Sequence, residues 1–268
     1  QSYTGAITLG AGTTLTGSNV TTTSSGSTIA GAGNSLAVVG NASIAGDVSN
    51  VTTVNVSGTT RLAANISSTA SQTYVGAMTL GADATAQPSG NNAVITTSGA
   101  INSDGTARAL SLNASGTGGQ VVVTSAVGNT AALGALSLNA SAMQVNGGSV
   151  STTGNQTYTG AVTLAGTSTL SSTGVSATLT TTAGITGASK NLTLDFATVT
   201  VLGSGGSAIT GVANLIVTGT TTLGSVTTTG TQTYNSPVTL SANTTLIADT
   251  TSGGGGTAQL VTFASTVV

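Results

Sequence analysis

Four copies of one short phrase restrict the fold of this chain more than any other feature. They read Gln1-Ser-Tyr3, Gln72-Thr-Tyr74, Gln156-Thr-Tyr158 and Gln232-Thr-Tyr234, and they hold all four tyrosines of the sequence. Each is followed by a matching segment, Ile7-Thr-Leu9, Met78-Thr-Leu80, Val162-Thr-Leu164 and Val238-Thr-Leu240. The anchoring glutamines recur at a similar but unequal spacing (72−1, 156−72, 232−156). Repeats of this kind bury their apolar faces mainly against neighbouring copies. One rung of a β-solenoid takes roughly 20 to 30 residues, so each unit is expected to hold roughly three or four rungs.

Rungs can be traced inside the units. At a nearly constant distance after each glutamine comes a β-branched residue near Gly and Ala, at Ile29, Ile101, Ile185 and Val261. Alternating segments follow in three of the units, Leu36-Ala-Val38, Leu110-Ser-Leu112 and Leu192-Thr-Leu194. Residues 55–62 align with residues 216–223, and Leu136-Ser-Leu138 supplies the same alternation in the second unit. Apolar side chains at every second position mark strands with one buried face. The candidate core residues are therefore Tyr3, Ile7, Leu9, Tyr74, Met78, Leu80, Tyr158, Val162, Leu164, Tyr234, Val238 and Leu240.

Composition decides between this reading and its competitors. No window carries a helical apolar stripe, and aromatics make up only 2% of the chain, too few to fill the thick core of a two-layer domain. Small and branched residues instead suit a narrow core in which equivalent positions stack in rows. Disorder typically pairs low hydrophobicity with high net charge, whereas this chain is 38% hydrophobic with a formal charge of −2. A hairpin sandwich calls for frequent Asn-Gly or Asp-Gly turns, and these occur only at Asn146 and Asp104. The expectation is an all-β, right-handed parallel β-helix over residues 1–268, a single solenoid of roughly 12 to 14 rungs.

The inventory for chemistry is short. Histidine, cysteine and glutamate are absent, so neither a Ser-His-Asp triad nor a His or Cys metal site can be built. Acid pairs for glycoside hydrolysis could come only from Asp47, Asp83, Asp104, Asp195 and Asp249, which lie in different rung contexts and read as solvated corner carboxylates. Arg108 closely follows Asp104, and Asp195 closely follows Lys190; both pairs read as surface ion pairs. Gly253-Gly-Gly-Gly256 lacks the alternating aspartates of calcium-binding repeats and reads as a flexible turn. No catalytic residue, cofactor or metal is expected, and a polysaccharide-active β-helix is the weaker alternative.

Partners follow from charge. Three cations and a sequence pI near 4.3 argue against nucleic acid and charged membrane surfaces. No run of about 18 apolar residues exists to insert into a bilayer. Ten Asn-x-Ser/Thr sequons occur, several of which are expected by chance in so Ser- and Thr-rich a chain. Threonine tracts at residues 21–23, 180–182, 220–222 and 227–229 suggest an ice-binding array, yet their irregular spacing reads more simply as outward strand threonines.

The phrase Gln156-Thr-Tyr-Thr-Gly-Ala-Val-Thr-Leu164 and its three variants, with the intervening Leu-x-Leu-Asn-Ala and Thr-Thr-Thr-Gly segments, resemble the repeats of filamentous haemagglutinin-type exoproteins. The resemblance runs through essentially the whole chain. It implies a right-handed parallel β-helix, export by two-partner secretion through an outer-membrane β-barrel partner, and a Gram-negative cell-surface role in adhesion, aggregation or biofilm structure. The family's amino-terminal secretion domain is not visible. The first residue already lies inside a phrase and the last unit stops at Val268, well before a full repeat past Gln232, so the chain reads as processed or as part of something longer. Its neighbours would be further repeats, or identical subunits end to end in a non-covalent filament, with a host-cell or matrix glycan or protein as receptor.

Overall fold

The computed structural model describes residues 1–203, 207–241, 243–251 and 256–268. Of the Gly253–Gly256 tract, only Gly256 falls among the described residues. Those residues form 26 strands and no helix. The strands pair in parallel, apart from one antiparallel bridge between Asp249 and Ala258. The fold is a parallel β-solenoid of about 11 turns. The chain divides into two compact units, Gln1–Met143 and Gln144–Val268, each built in this way.

Parallel pairing brings inward residues of successive turns into rows. In the first unit one row runs Val48, Ile66, Ala86, Leu112 and Leu138. A second runs Leu36, Val54, Gln72, Ile95 and Val121. In the second unit the chain stacks Val150, Leu170, Leu194, Val217 and Tyr234 in one row, and Val162, Ile185, Ile209 and Val226 in another. All of these residues are buried. Rungs about 4.8 Å apart let each side chain touch its equivalents above and below, and β-branched residues fit that pleated surface. Burying each Val, Leu or Ile contributes about 1.5–3 kcal/mol.

The turns are uneven in length. One turn carries the chain from Leu36 to Val54, while a much longer one separates Leu110 from its partner Leu136 (54−36 against 136−110). That variation accounts for the difference between about 11 turns and the 12 to 14 expected. Glycine-containing corner segments such as 115–119 and 128–134 lengthen a turn without adding a rung.

Pairing also shows how the repeated phrase meets the coil. Ser2, Thr21, Ser43, Arg61 and Thr79 occupy one column over four turns. The first two glutamines lie closer together than the ends of that column (72−1 against 79−2). In the second unit Thr157, Thr180, Thr200, Thr222 and Thr239 form a column over four turns, and again the glutamine spacing is the smaller (232−156 against 239−157). In both cases the phrase returns six positions short of four turns. Its Gln-x-Tyr half therefore moves one corner back, and the second half of the later copy stacks in the column of the first half of the earlier one. Within each unit, copies related by sequence do not lie directly above one another.

The glycine after Tyr74 is explained by the corner it forms. Gly76 N–H donates to Gly58 O at 3.1 Å, and Gly58 N–H to Gly40 O at 2.9 Å. A Cβ on Gly58 or Gly76 would collide with the backbone of the preceding rung. Only glycine permits that approach.

The row containing Val162 gives a direct test of inward against outward positions. Val162→Asp puts an unpaired carboxylate between Ile185 and the core and is expected to cost more than about 4 kcal/mol. Thr163→Asp, at an exposed neighbour, should change stability by less than about 0.5 kcal/mol. Denaturant midpoints with protease digestion check both, and equal effects would contradict the assigned faces.

Candidate functional site

The most elaborate polar arrangement among the described residues is the repeated phrase itself. In Gln-x-Tyr the two named side chains have the same parity, so the strand turns both inward. Gln72, Tyr74, Gln156, Tyr158, Gln232 and Tyr234 are all buried. Burial leaves a phenol hydroxyl and a carboxamide in need of partners, and they supply one another. Tyr74 Oη donates to Gln72 Oε1 at 2.8 Å, Tyr158 Oη to Gln156 Oε1 at 2.8 Å, and Tyr234 Oη to Gln232 Oε1 at 2.9 Å.

Each glutamine then donates onward. Its Nε2 reaches the hydroxyl of the residue four positions earlier, Ser68 at 3.0 Å, Thr152 at 3.3 Å and Thr228 at 3.2 Å. Those hydroxyls donate to the carbonyls of Ala70, Gly154 and Gly230 at 2.6, 2.7 and 2.7 Å. Gln72 Nε2 also meets Ile66 O, and Gln156 Nε2 meets Val150 O and Ser171 O. Gln232 Nε2 meets Ile247 O at 2.7 Å. Three copies of one network thus run from phenol through amide and hydroxyl to backbone. Sequence reasoning selected the tyrosines and missed the glutamines and the Ser68, Thr152 and Thr228 hydroxyls. The signal was present as a Ser or Thr four positions before Gln and a Tyr two positions after it.

Aromatic rings need space along the row. Tyr74 and Tyr158 stack on the much smaller Thr97 and Thr181 of the next rung. Tyr234 stacks on Phe263, with ring centroids 5.2 Å apart and planes 12° apart. Leu9, Met78, Leu80, Val162, Leu164 and Val238 are buried as well. Tyr3, Ile7 and Leu240 are half-buried. The first copy keeps its Tyr3 to Gln1 hydrogen bond at 2.8 Å, in an exposed setting.

The aspartates act as corner fittings. Asp47 Oδ1 accepts from Asn65 N at 2.9 Å, and Asp83 Oδ1 from Ala109 N at 2.8 Å, each one rung on. Asp104 accepts from Arg108 Nε at 3.3 Å and also lies 3.7 Å from Arg61, two rungs earlier, a partner the sequence did not indicate. The hydrogen bond from Arg108 holds the Asp104 carboxyl below its ordinary range. Asp195 is exposed, and among the described residues neither it nor Lys190 forms an ion pair. Asp249 departs from the expected solvated carboxylate, being 6% exposed. Its Oδ1 accepts from the amides of Thr251 and Gly256 at 2.9 Å each, and the Thr251 amide foremost keeps the carboxyl below its usual range.

The sequon asparagines are largely engaged in the same way. Asn65 Oδ1 accepts from Thr85 N, Asn155 Oδ1 from Thr178 N and Asn41 Oδ1 from Thr59 N, all at 2.9 Å. Asn139 Nδ2 donates to Asn113 Oδ1 at 3.0 Å and Asn214 Nδ2 to Asn191 Oδ1 at 2.9 Å, short amide ladders between rungs. A shallow depression of about 330 Å³ is lined by Asn50, Ser67, Ser68, Thr69, Gln87 and Ser89, all of them uncharged. Among the described residues no group of three acidic, His or Cys side chains is placed to hold a metal. Comparison with protein-family models, with curated proteins and with solved structures finds no match.

Two outcomes follow from the buried network. Tyr158→Phe leaves Gln156 Oε1 without its donor and is expected to cost about 1–3 kcal/mol, as is Gln156→Leu, which strands the phenol. The double variant replaces both partners and should cost less than the sum, a coupling readable from a double-mutant cycle in denaturant. Strict additivity would mean that the pair is not a unit.

Burial also raises the phenol pKa of Tyr74, Tyr158 and Tyr234 well above the ordinary value of 10.0. The folded chain then keeps protons that the unfolded chain loses. Stability from this source is complete below about pH 10 and falls as pH rises further, by up to about 1.4 kcal/mol per tyrosine per pH unit. In a Tyr3→Phe background, phenolate absorbance should appear only together with loss of the β-sheet circular dichroism signal. Phenolate in a chain still folded would contradict the buried network.

Proposed function

We propose that this chain is a structural stretch of extracellular β-solenoid, giving length and stiffness to a bacterial surface adhesin or matrix filament. The observation that carries the reading is how the polar side chains are used. Glutamine, asparagine, aspartate and threonine groups spread over both units spend their hydrogen bonds on neighbouring rungs or on the turn that closes their own rung. Such bonding contributes to holding a coil together, and stability in a stacked array accumulates with nearest-neighbour interfaces. The ionisable groups are dispersed, the Arg61, Asp104 and Arg108 cluster excepted. That cluster lies at an exposed corner, where ion pairs contribute little. The resemblance of the repeat phrase to filamentous haemagglutinin-type exoproteins supports the same role and the same location.

The test is topographic and functional. Antibodies raised against residues 1–268 should label intact source cells or their shed matrix, and deletion of the segment should reduce attachment or aggregation without altering growth. Antigen found only after lysis, with attachment unchanged, would refute the proposal.

A further inference from the structure

We propose that the second unit carries an ice-binding face, formed by two ranks of outward threonines. The first rank is Thr157, Thr180, Thr200, Thr222 and Thr239, directly paired through five rungs. The second is Thr178, Thr198 and Thr220, two positions earlier on the three central strands. The rungs therefore present Thr178-Leu-Thr180, Thr198-Val-Thr200 and Thr220-Thr-Thr222 side by side. In the sequence these tracts look irregular, because the length of chain between them changes from turn to turn (180−157, 200−180, 222−200, 239−222). Stacking removes the irregularity. The array has a repeat of about 4.8 Å between rungs and about 6.6 Å along each strand.

Three further features suit this face to ordering water. None of the eight threonine hydroxyls hydrogen-bonds to the protein among the described residues, whereas those of the inward, buried Thr152, Thr221 and Thr228 bond backbone carbonyls. The side chains are also held from behind, since Gln156, Leu179, Val199, Thr221 and Val238 between them are at most 1% exposed. The Gln156 to Tyr158 hydrogen bond locks the rung that carries Thr157. Threonine is moreover stiff at χ1, so rigid backing fixes hydroxyl and methyl positions together. Register irregularities between the strands Ile185–Val201 and Ser207–Leu223 all lie before Thr198, so the threonine pairs themselves stay in continuous register.

The chemistry of the face selects the ligand. Its strand segments, residues 155–158, 178–181, 198–201, 220–223 and 237–240, hold no charged residue, and their one aromatic, Tyr158, points inward. A surface of that kind offers no ring for stacking on a sugar and no ion for a phosphate or carboxylate. It offers hydroxyls that anchor water at fixed points, separated by methyl groups that restrict the orientation of water between them. The two repeats are of the order of the oxygen spacings in hexagonal ice. Water ordered in this way can join a growing crystal face, which is the ligand proposed.

The test uses the full chain in freezing-point hysteresis and in incorporation into a slowly growing ice hemisphere. The unaltered chain should produce hysteresis and enter the ice. Thr200→Tyr, which lifts the ice plane off the centre of the array, should abolish both, and Thr193→Tyr, outward on a different column, should leave both intact. Circular dichroism and protease resistance establish that each variant folds; should Thr200→Tyr fail to fold, Thr222→Tyr on the same rank takes its place. Exclusion of the unaltered chain from ice with no hysteresis overturns the proposal, and so does equal loss in the variants on and off the array.

Discussion

Each turn of this chain must bring its backbone back into hydrogen-bonding register about 4.8 Å from the previous turn, and the remaining features serve that requirement. Parallel pairing satisfies the amides along the strands, but the corners leave donors that the ladder does not reach. Asp47, Asp83, Asn65 and Asn155 fill the gap, each presenting a side-chain oxygen to an amide of the next rung. Where the coil tightens, Gly58 and Gly76 let backbone meet backbone directly. Polar residues in this molecule are structural parts of the ladder as much as surface.

Inside, the solenoid solves a second difficulty. A core of aliphatic rows is apolar but only weakly specific, since one Val or Leu row can slide past another at little cost. The buried glutamines of the second unit oppose such slippage. Gln156 Nε2 and Gln232 Nε2 reach carbonyls of the next rung, Ser171 O and Ile247 O, so a slip between rungs would break those bonds in an apolar interior, whereas the Tyr158 to Gln156 and Gln156 to Thr152 bonds brace one rung across its own corner. In the first unit Gln72 Nε2 bonds within its own rung, to Ile66 O and Ser68 Oγ, and so braces the corner between two of its strands. In the second unit the offset of the phrase against four turns places the Gln156 and Gln232 pairs in different columns.

The outer surface follows from the inner one. Strand positions alternate, so any regular inward row imposes an equally regular outward row, and the composition of the chain makes many of those outward residues threonine. The array on the second unit is thus a by-product of good stacking that also supplies a lattice. A structural role and an ice-binding role are compatible in one coil, because they draw on different side chains: one uses the buried pairs and corner fittings, the other the outward hydroxyls.

Sequence alone determined the class of fold and picked out a minority of the buried residues. Period-two alternation in segments such as Leu110-Ser-Leu112, together with the recurring phrase, is a local signal, and a one-sided strand has few other ways to bury its apolar residues. Tyr74, Met78, Leu80, Tyr158, Val162 and Leu164 could be named without coordinates for that reason. What lay beyond the sequence was everything set by the lengths of turns. Corners absorb shorter or longer stretches of chain without changing the register, so neither the number of turns nor the column in which a phrase stands can be counted along the chain. Arg61 reaching Asp104, the threonine ranks of the second unit and the burial of Asp249 all depend on which rung lies beside which, and tertiary stacking decides that through the backbone ladder.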